Sequence, residues 1–219
     1  MNQLKQKGFT LVEIAIVLVI VGLLIGGVLK GQEMITNAKL KRIESDNAGI
    51  AAAMFSYQDR YLQLPGDDSD ALGRFTVYTT ASPAIAANGN GDGTIGLGTD
   101  WDLSTATAWA NGTQETLKFF GHLRASGLIS GAADDSTRPS NAYGGQIGIQ
   151  DGALNMSGHV TIFGVIEGPI ARIIETRLDD GDGTSGRVQS ALSGDDMALP
   201  ASAVAVYNDN NRYDMAFRL

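Results

Sequence analysis

The chain has 219 residues, with 16 Lys+Arg against 24 Asp+Glu, 43% hydrophobic residues, 28 Gly, 5 Pro and no Cys. That length suits one packed domain with an appendage, or two small domains, and a net charge of −8 argues against a nucleic-acid binder, which needs a basic face. The lack of cysteine excludes disulfides, thiolate zinc sites, Cys nucleophiles and Fe–S clusters, and two histidines, His122 and His159, are little material for a histidine metal cage.

Residues 1–8 are polar and basic, with Lys5 and Lys7, whereas from Phe9 to Leu29 the only charge is Glu13. At about 1.5 Å per residue such a stretch spans roughly 30 Å of helix, the thickness of a bilayer's hydrocarbon core. The run is too long for the apolar core of a secretory signal, and Gly26-Gly27-Val28-Leu29-Lys30 is a poor cleavage site for one. A plain anchor accounts for everything except Glu13, because a carboxylate inside an apolar span costs a few kcal/mol unless it meets a cation.

Lys7-Gly8-Phe9-Thr10-Leu11-Val12-Glu13, followed by an apolar helix containing Gly22, resembles the cleavage and methylation motif of type IV pilins and type II secretion pseudopilins. The resemblance implies that a prepilin peptidase cuts between Gly8 and Phe9 and methylates the new amino terminus on Phe9. It also implies that Glu13, the fifth residue of the mature chain, pairs with the amino terminus of a neighbouring subunit. Buried charges of opposite sign cost less together than alone, and their pairing sets register. Loss of the leader with its two lysines takes the net charge from −8 to −10.

Beyond Leu29 the pattern turns amphipathic. Ile43, Ile50, Met54, Tyr57 and Tyr61 fall on one helical face, which predicts a helix from about Phe9 to Tyr61, stopped by Leu64-Pro65-Gly66. Many type IV pilins have a proline where Lys30 stands; here Gly26, Gly27 and Gly31 surround that position. Residues from Tyr57 to Asp67 also resemble the stalk-to-head junction of pseudopilin-like proteins. Further on, Gln114 to Ser126 predicts a helix with Leu117, Phe120 and Leu123 on one face, and Pro169 opens a second. Gln146–Ile149, His159–Ile166, Ala203–Tyr207 and Tyr213–Phe217 read as strands, the last two joined by a hairpin loop at Asn208–Arg212. The expected organisation is a leader at 1–8, a transmembrane or fibre-core helix at 9–29, an amphipathic continuation at 30–64 and a head at 65–219. The expected fold class is α+β: a long N-terminal helix packed on an antiparallel-sheet, loop-rich, pilin-like head.

Two segments of the head repeat Gly-Asp-Gly-Thr: Asn88 to Ile95 and Asp179 to Thr184. In the first, Asn88, Asn90 and Asp92 occupy positions one, three and five of an EF-hand-like calcium loop with Gly93 at six, and Asp100 and Asp102 lie close but out of register. In the second, Asp180 and Asp182 are candidates, but Leu178 takes the first ligand position. Calcium is therefore a candidate ligand of the head rather than a required cofactor. The literal G-x-G-x-x-G patterns at Gly91-Gly93-Gly96 and Gly181-Gly183-Gly186 do not sit in βαβ units, and flanking aspartates would repel pyrophosphate. No G-x-S-x-G, H-E-x-x-H or P-loop lysine motif occurs, so His122 and His159 read as structural or surface histidines, and Trp101 and Trp109 as packing residues.

The sequence thus implies a structural subunit rather than an enzyme. By resemblance its partners are itself and other pilins or pseudopilins, the prepilin peptidase and an assembly platform protein, with no nucleic acid. It would wait in a bacterial inner membrane with a periplasmic head, then join a periplasmic or extracellular fibre. The alternative is a membrane-anchored periplasmic calcium-binding or hydrolytic domain that uses a pilin-like anchor.

Overall fold

A computed structural model describes residues 9–75, 88–96, 115–133, 135, 137–193 and 202–219. The elements in chain order are α1 (Leu11–Tyr61), α2 (Ala71–Arg74), α3 (Glu115–Ala125), β1 (Ile147–Ala153), β2 (Met156–Glu167), α4 (Gly168–Leu178), β3 (Val188–Leu192) and β4 (Arg212–Arg218). Contacts divide the chain into two compact units, 1–41 and 42–219.

The first unit holds the apolar part of α1. Its large side chains are exposed on every side, from Leu11 (89%) and Val12 through Leu23 (74%) to Leu29, Met34 and Ile35. A helix apolar all round has no face of its own to bury and requires lipid or other helices around it. By length and composition it is able to cross a membrane. Helical structure continues through Gly26, Gly27, Lys30 and Gly31 without a break.

In the second unit Ile43, Ile50, Met54 and Tyr57 of α1 are buried, as the stripe predicts, while Tyr61 is half-buried. The Tyr57 hydroxyl donates to Asp68 Oδ2 at 2.7 Å and its ring stacks on His122, fixing the chain as it leaves the helix. α3 is buried from Glu115 to Arg124.

The sheet has four antiparallel strands in the order β1-β2-β4-β3. Ile149, Val160, Ile162, Phe163, Met215 and Ala216 carry its core. The β2–β4 register shifts between Phe163 and Ile166, where Val165 adopts φ 62° and its amide donates to the buried Asp214 Oδ1 at 2.9 Å. A β-branched residue there is a costly conformation, and the Asp214 bond holds the bulge. Pro169 opens α4, whose Ile170, Ala171 and Ile174 face inward.

The architecture is α+β and pilin-like, with a long N-terminal apolar helix and an antiparallel sheet in the C-terminal part. One strand expectation fails. Ala203–Tyr207 forms no strand; residues 188–192 pair with β4 instead, in register from Val188 opposite Phe217 to Leu192 opposite Tyr213. The 203–207 segment keeps one strand-like bond, from Val204 N to Ser190 O, and spends Tyr207 in the core rather than in a ladder.

Candidate functional site

Lys7 and Gly8, which open the N-terminal motif, lie outside the described residues. Phe9 is 85% exposed and precedes the first turn of α1. Thr10 and Glu13 form a reciprocal capping box: Glu13 N donates to Thr10 Oγ1 at 3.3 Å, and Glu13 Oε2 accepts from both Thr10 N and Thr10 Oγ1 at 2.8 Å. The carboxylate is thus folded back over the helix start, one residue from the Phe9 amide. Thr10 escaped the sequence reading, although the Thr-x-x-Glu spacing carries the signal.

In the head, the first Gly-Asp-Gly-Thr loop is held by acids contributed from elsewhere. Asp67, just after Pro65-Gly66 and almost fully buried, accepts Gly91 N (2.6 Å) and Asp92 N (3.1 Å) on Oδ1 and Gly93 N (2.8 Å) on Oδ2. Glu115, at the start of α3 and also buried, accepts Asn90 N at 2.9 Å and Gly96 N at 3.2 Å. Burial is the main cause raising the Glu115 carboxyl above its ordinary range. Asp92 accepts Thr94 N and Thr94 Oγ1, which lower its pKa. Carboxylate oxygens of Asp67, Asp92 and Glu115 lie within 4.8 Å of one another.

The EF-hand-like register predicted for this loop distributes its side chains over separate tasks. Asn88 Oδ1 accepts Leu72 N at 2.9 Å, Asn90 Oδ1 accepts Asp92 N at 2.8 Å, and Asp92 joins the acid group. Asp100 and Asp102, with Trp101 and Trp109, lie outside the described residues. Nothing in the sequence flags Asp67 and Glu115, which lie more than twenty residues to either side of Asp92.

The second Gly-Asp-Gly-Thr loop joins α4 to β3. Asp179 Oδ2 accepts the amides of Arg187 and of Val188, the latter at 2.7 Å. Asp180 Oδ1 accepts Asp182 N at 2.9 Å and its Oδ2 accepts Ser185 Oγ at 2.7 Å; Asp182 Oδ1 accepts Thr184 N and Thr184 Oγ1. Here the acid group is Glu175, Asp179 and Asp180, with oxygens within 4.8 Å of one another. Asp180 was expected, while Asp182 turns to Thr184. Glu175 precedes the segment, and Asp179, its first residue, falls outside the alternate ligand positions, so neither is a candidate by register.

Both histidines hold structure. His122 is fully buried, accepts Gly66 N on Nδ1 at 2.9 Å, and burial pulls its pKa down to about 4. His159 Nδ1 pairs with Asp151 Oδ1, and Asp151 Oδ2 accepts Ile95 N at 2.8 Å, tethering the end of the first loop to the sheet.

No curated protein and no solved structure gives a significant match to the chain. At its N-terminus, residues 3–29 match the family model described as the prokaryotic N-terminal methylation motif, and with it the chain carries the signature of type IV pilins and pseudopilins.

Proposed function

We propose that this chain is a structural subunit of a type IV pilus or a type II secretion pseudopilus, and not an enzyme. The reading rests chiefly on one observation: within the matched segment, residues 11–29 form a helix exposed and apolar on every side, whose only charge is Glu13. Prepilin peptidase cleaves between Gly8 and Phe9 and Phe9 is N-methylated, as the motif implies. The chain is then anchored in the inner membrane through Phe9 to Leu29, with its head in the periplasm.

Assembly exchanges lipid for neighbouring helices. A Cβ added at Gly22, Gly26, Gly27 or Gly31 would meet nothing within 4 Å in the chain itself. Each glycine nonetheless costs a helix roughly 1 kcal/mol relative to alanine. Close approach of a second helix gives these small residues a use that the isolated chain does not. Glu13, a lone carboxylate in an apolar span, is neutralised by the Phe9 ammonium of an adjoining copy. The Thr10 capping box holds the carboxylate at the end of the helix where that ammonium arrives.

The test is the Glu13→Gln variant, which keeps side-chain volume and one acceptor but loses the charge. Mass spectrometry of membranes should find N-methylated Phe9 at the new terminus in both proteins. Sheared-fibre yield should fall at least about tenfold in the variant, the equivalent of 1.4 kcal/mol per junction. A wild-type yield from Glu13→Gln would overturn the pairing, and an intact leader on the wild-type chain would overturn the processing.

A further inference from the structure

We propose that Glu175, Asp179 and Asp180 bind a calcium ion that fastens the loop between α4 and β3. The inference is independent of how the chain is processed or assembled.

The last turn of α4 sets Glu175 four residues before Asp179, the extended residue that caps the helix, whose amide still donates to Glu175 O at 2.8 Å. Asp180 follows on the loop, and oxygens of all three carboxylates lie within 4.8 Å of one another. The two loop acids are held as hydrogen-bond acceptors. Asp179 takes the amides of Arg187 and Val188, and Asp180 takes the amide of Asp182 and the hydroxyl of Ser185.

The helix contributes the observation that calls for a ligand. Glu175 has 0% exposure, and its Oε1 is buried with no hydrogen-bond donor among the described residues. Its Oε2 has only the Tyr207 hydroxyl at 3.1 Å, and that hydroxyl lies closer, 2.7 Å, to Ser190 Oγ. Among the described residues, no Lys, Arg or His side-chain nitrogen forms an ion pair within 4 Å with any of these three carboxylates. A buried carboxylate beside two others is left without a compensating side-chain cation among the described residues.

A proton on Glu175 would still leave the two loop charges, whereas a divalent cation answers all three. The donors are all hard oxygens, with neither nitrogen nor sulfur. An oxygen spread of up to 4.8 Å is spanned by two calcium–oxygen bonds of about 2.4 Å, and magnesium, with bonds of about 2.1 Å, would have to draw the ligands closer. Asp179 and Asp180 are not fully buried, which leaves room for water to complete the coordination. A Cβ at Gly183 would stand 2.5 Å from Val204 O and 2.7 Å from Tyr207 Oη, so the loop runs directly against the tyrosine that touches Glu175. An ion here therefore ties helix, loop and the 202–207 segment together.

The experiment uses the full-length chain in detergent micelles, stripped with a chelator and titrated calorimetrically with calcium chloride. One saturable site is expected, with a melting temperature that rises as calcium is added. Glu175→Gln keeps the volume and the tyrosine contact, and it should weaken binding roughly tenfold or more, since affinity follows the ligand charge count. If that buried substitution fails to fold, the exposed Asp180→Asn carries the same expectation. Asp92→Asn, in the other loop, should bind as the wild type does, and equal magnesium should not displace calcium. No saturation by about 10 mM calcium, wild-type affinity in both Glu175→Gln and Asp180→Asn, or loss of binding in Asp92→Asn would each overturn the proposal.

Discussion

The two Gly-Asp-Gly-Thr loops share four residues in sequence and differ in what surrounds them. Around Asp92 the buried acids come from remote parts of the chain and are saturated: Asp67 receives three backbone amides and Glu115 two. Around Asp180 the exposed acids are saturated by their own loop, while the buried one, Glu175, has a single tyrosine donor. A glycine-rich turn presents more amides than its own side chains can satisfy. In the first loop the head supplies carboxylates to meet them. In the second the loop meets its own needs and leaves the helix carboxylate over. The shared motif therefore specifies a turn, and the acid behind it decides whether the turn is self-sufficient or requires an ion.

The contrast can be broken most forcefully at Asp67. Asp67→Asn places an amide group among three backbone donors that accept nothing, and loses the charge that strengthened their bonds. Unfolding free energy of the second unit should fall by about 3 kcal/mol or more by denaturant titration, to the same extent with calcium or chelator. A loss below about 1 kcal/mol, or one recovered on adding calcium, would mean that the first loop is not held by its own acids.

His122 gives a second handle on the same loop, because it accepts the amide of Gly66 beside Asp67. Burial lowers its pKa from 6.5 to about 4, with Asp68 and Lys118 acting in opposite directions. Between those values the unfolded chain binds more protons than the folded one, so stability is full above pH 6.5 and is lost as pH falls toward 4. The loss is on the order of 3 kcal/mol by pH 4. The buried Glu175, raised to about 7 chiefly by burial, slopes the other way. The difference between wild type and His122→Asn isolates the histidine: Asn retains an acceptor for Gly66 and does not titrate. Parallel stability–pH curves for the two proteins would remove His122 from the account.

What the sequence made legible follows the range of the interactions. The stalk, its lone Glu13 and the Ile43-to-Tyr57 face are periodic and local, so spacing alone reveals them. The helices at 115–125 and 168–178 are similarly local, the latter marked by Pro169. Strand β3 was missed because Val188–Leu192 is short and polar in part, with Gln189 and Ser190 buried by pairing to β4 and not by their own character. Apolar Ala203–Val206 looked the better strand, yet Val206 is 79% exposed. In the acid groups, Asp92 and Asp180 sit in a visible motif. Asp67 and Glu115 reach their loop only through the tertiary fold, and Glu175 is distinguished by an unmet oxygen that no sequence displays.

The subtlest way to sharpen the comparison is to remove the hydroxyl that alone serves Glu175. Tyr207→Phe keeps the ring, which packs edge-on against Tyr213 at 5.0 Å, and deletes the bonds to Glu175 Oε2 and Ser190 Oγ. In chelator the cost should be about 1 kcal/mol, that of a hydrogen bond to a buried acid. In saturating calcium the cost should shrink, because the ion then carries the charge that the hydroxyl had partly compensated. The matching change in the other loop, Thr94→Val, deletes the hydroxyl that serves Asp92 at an exposed site and should cost less than about 0.5 kcal/mol in either condition. If calcium leaves the Tyr207→Phe deficit untouched, the difference between the loops is one of burial alone and not of an ion at Glu175.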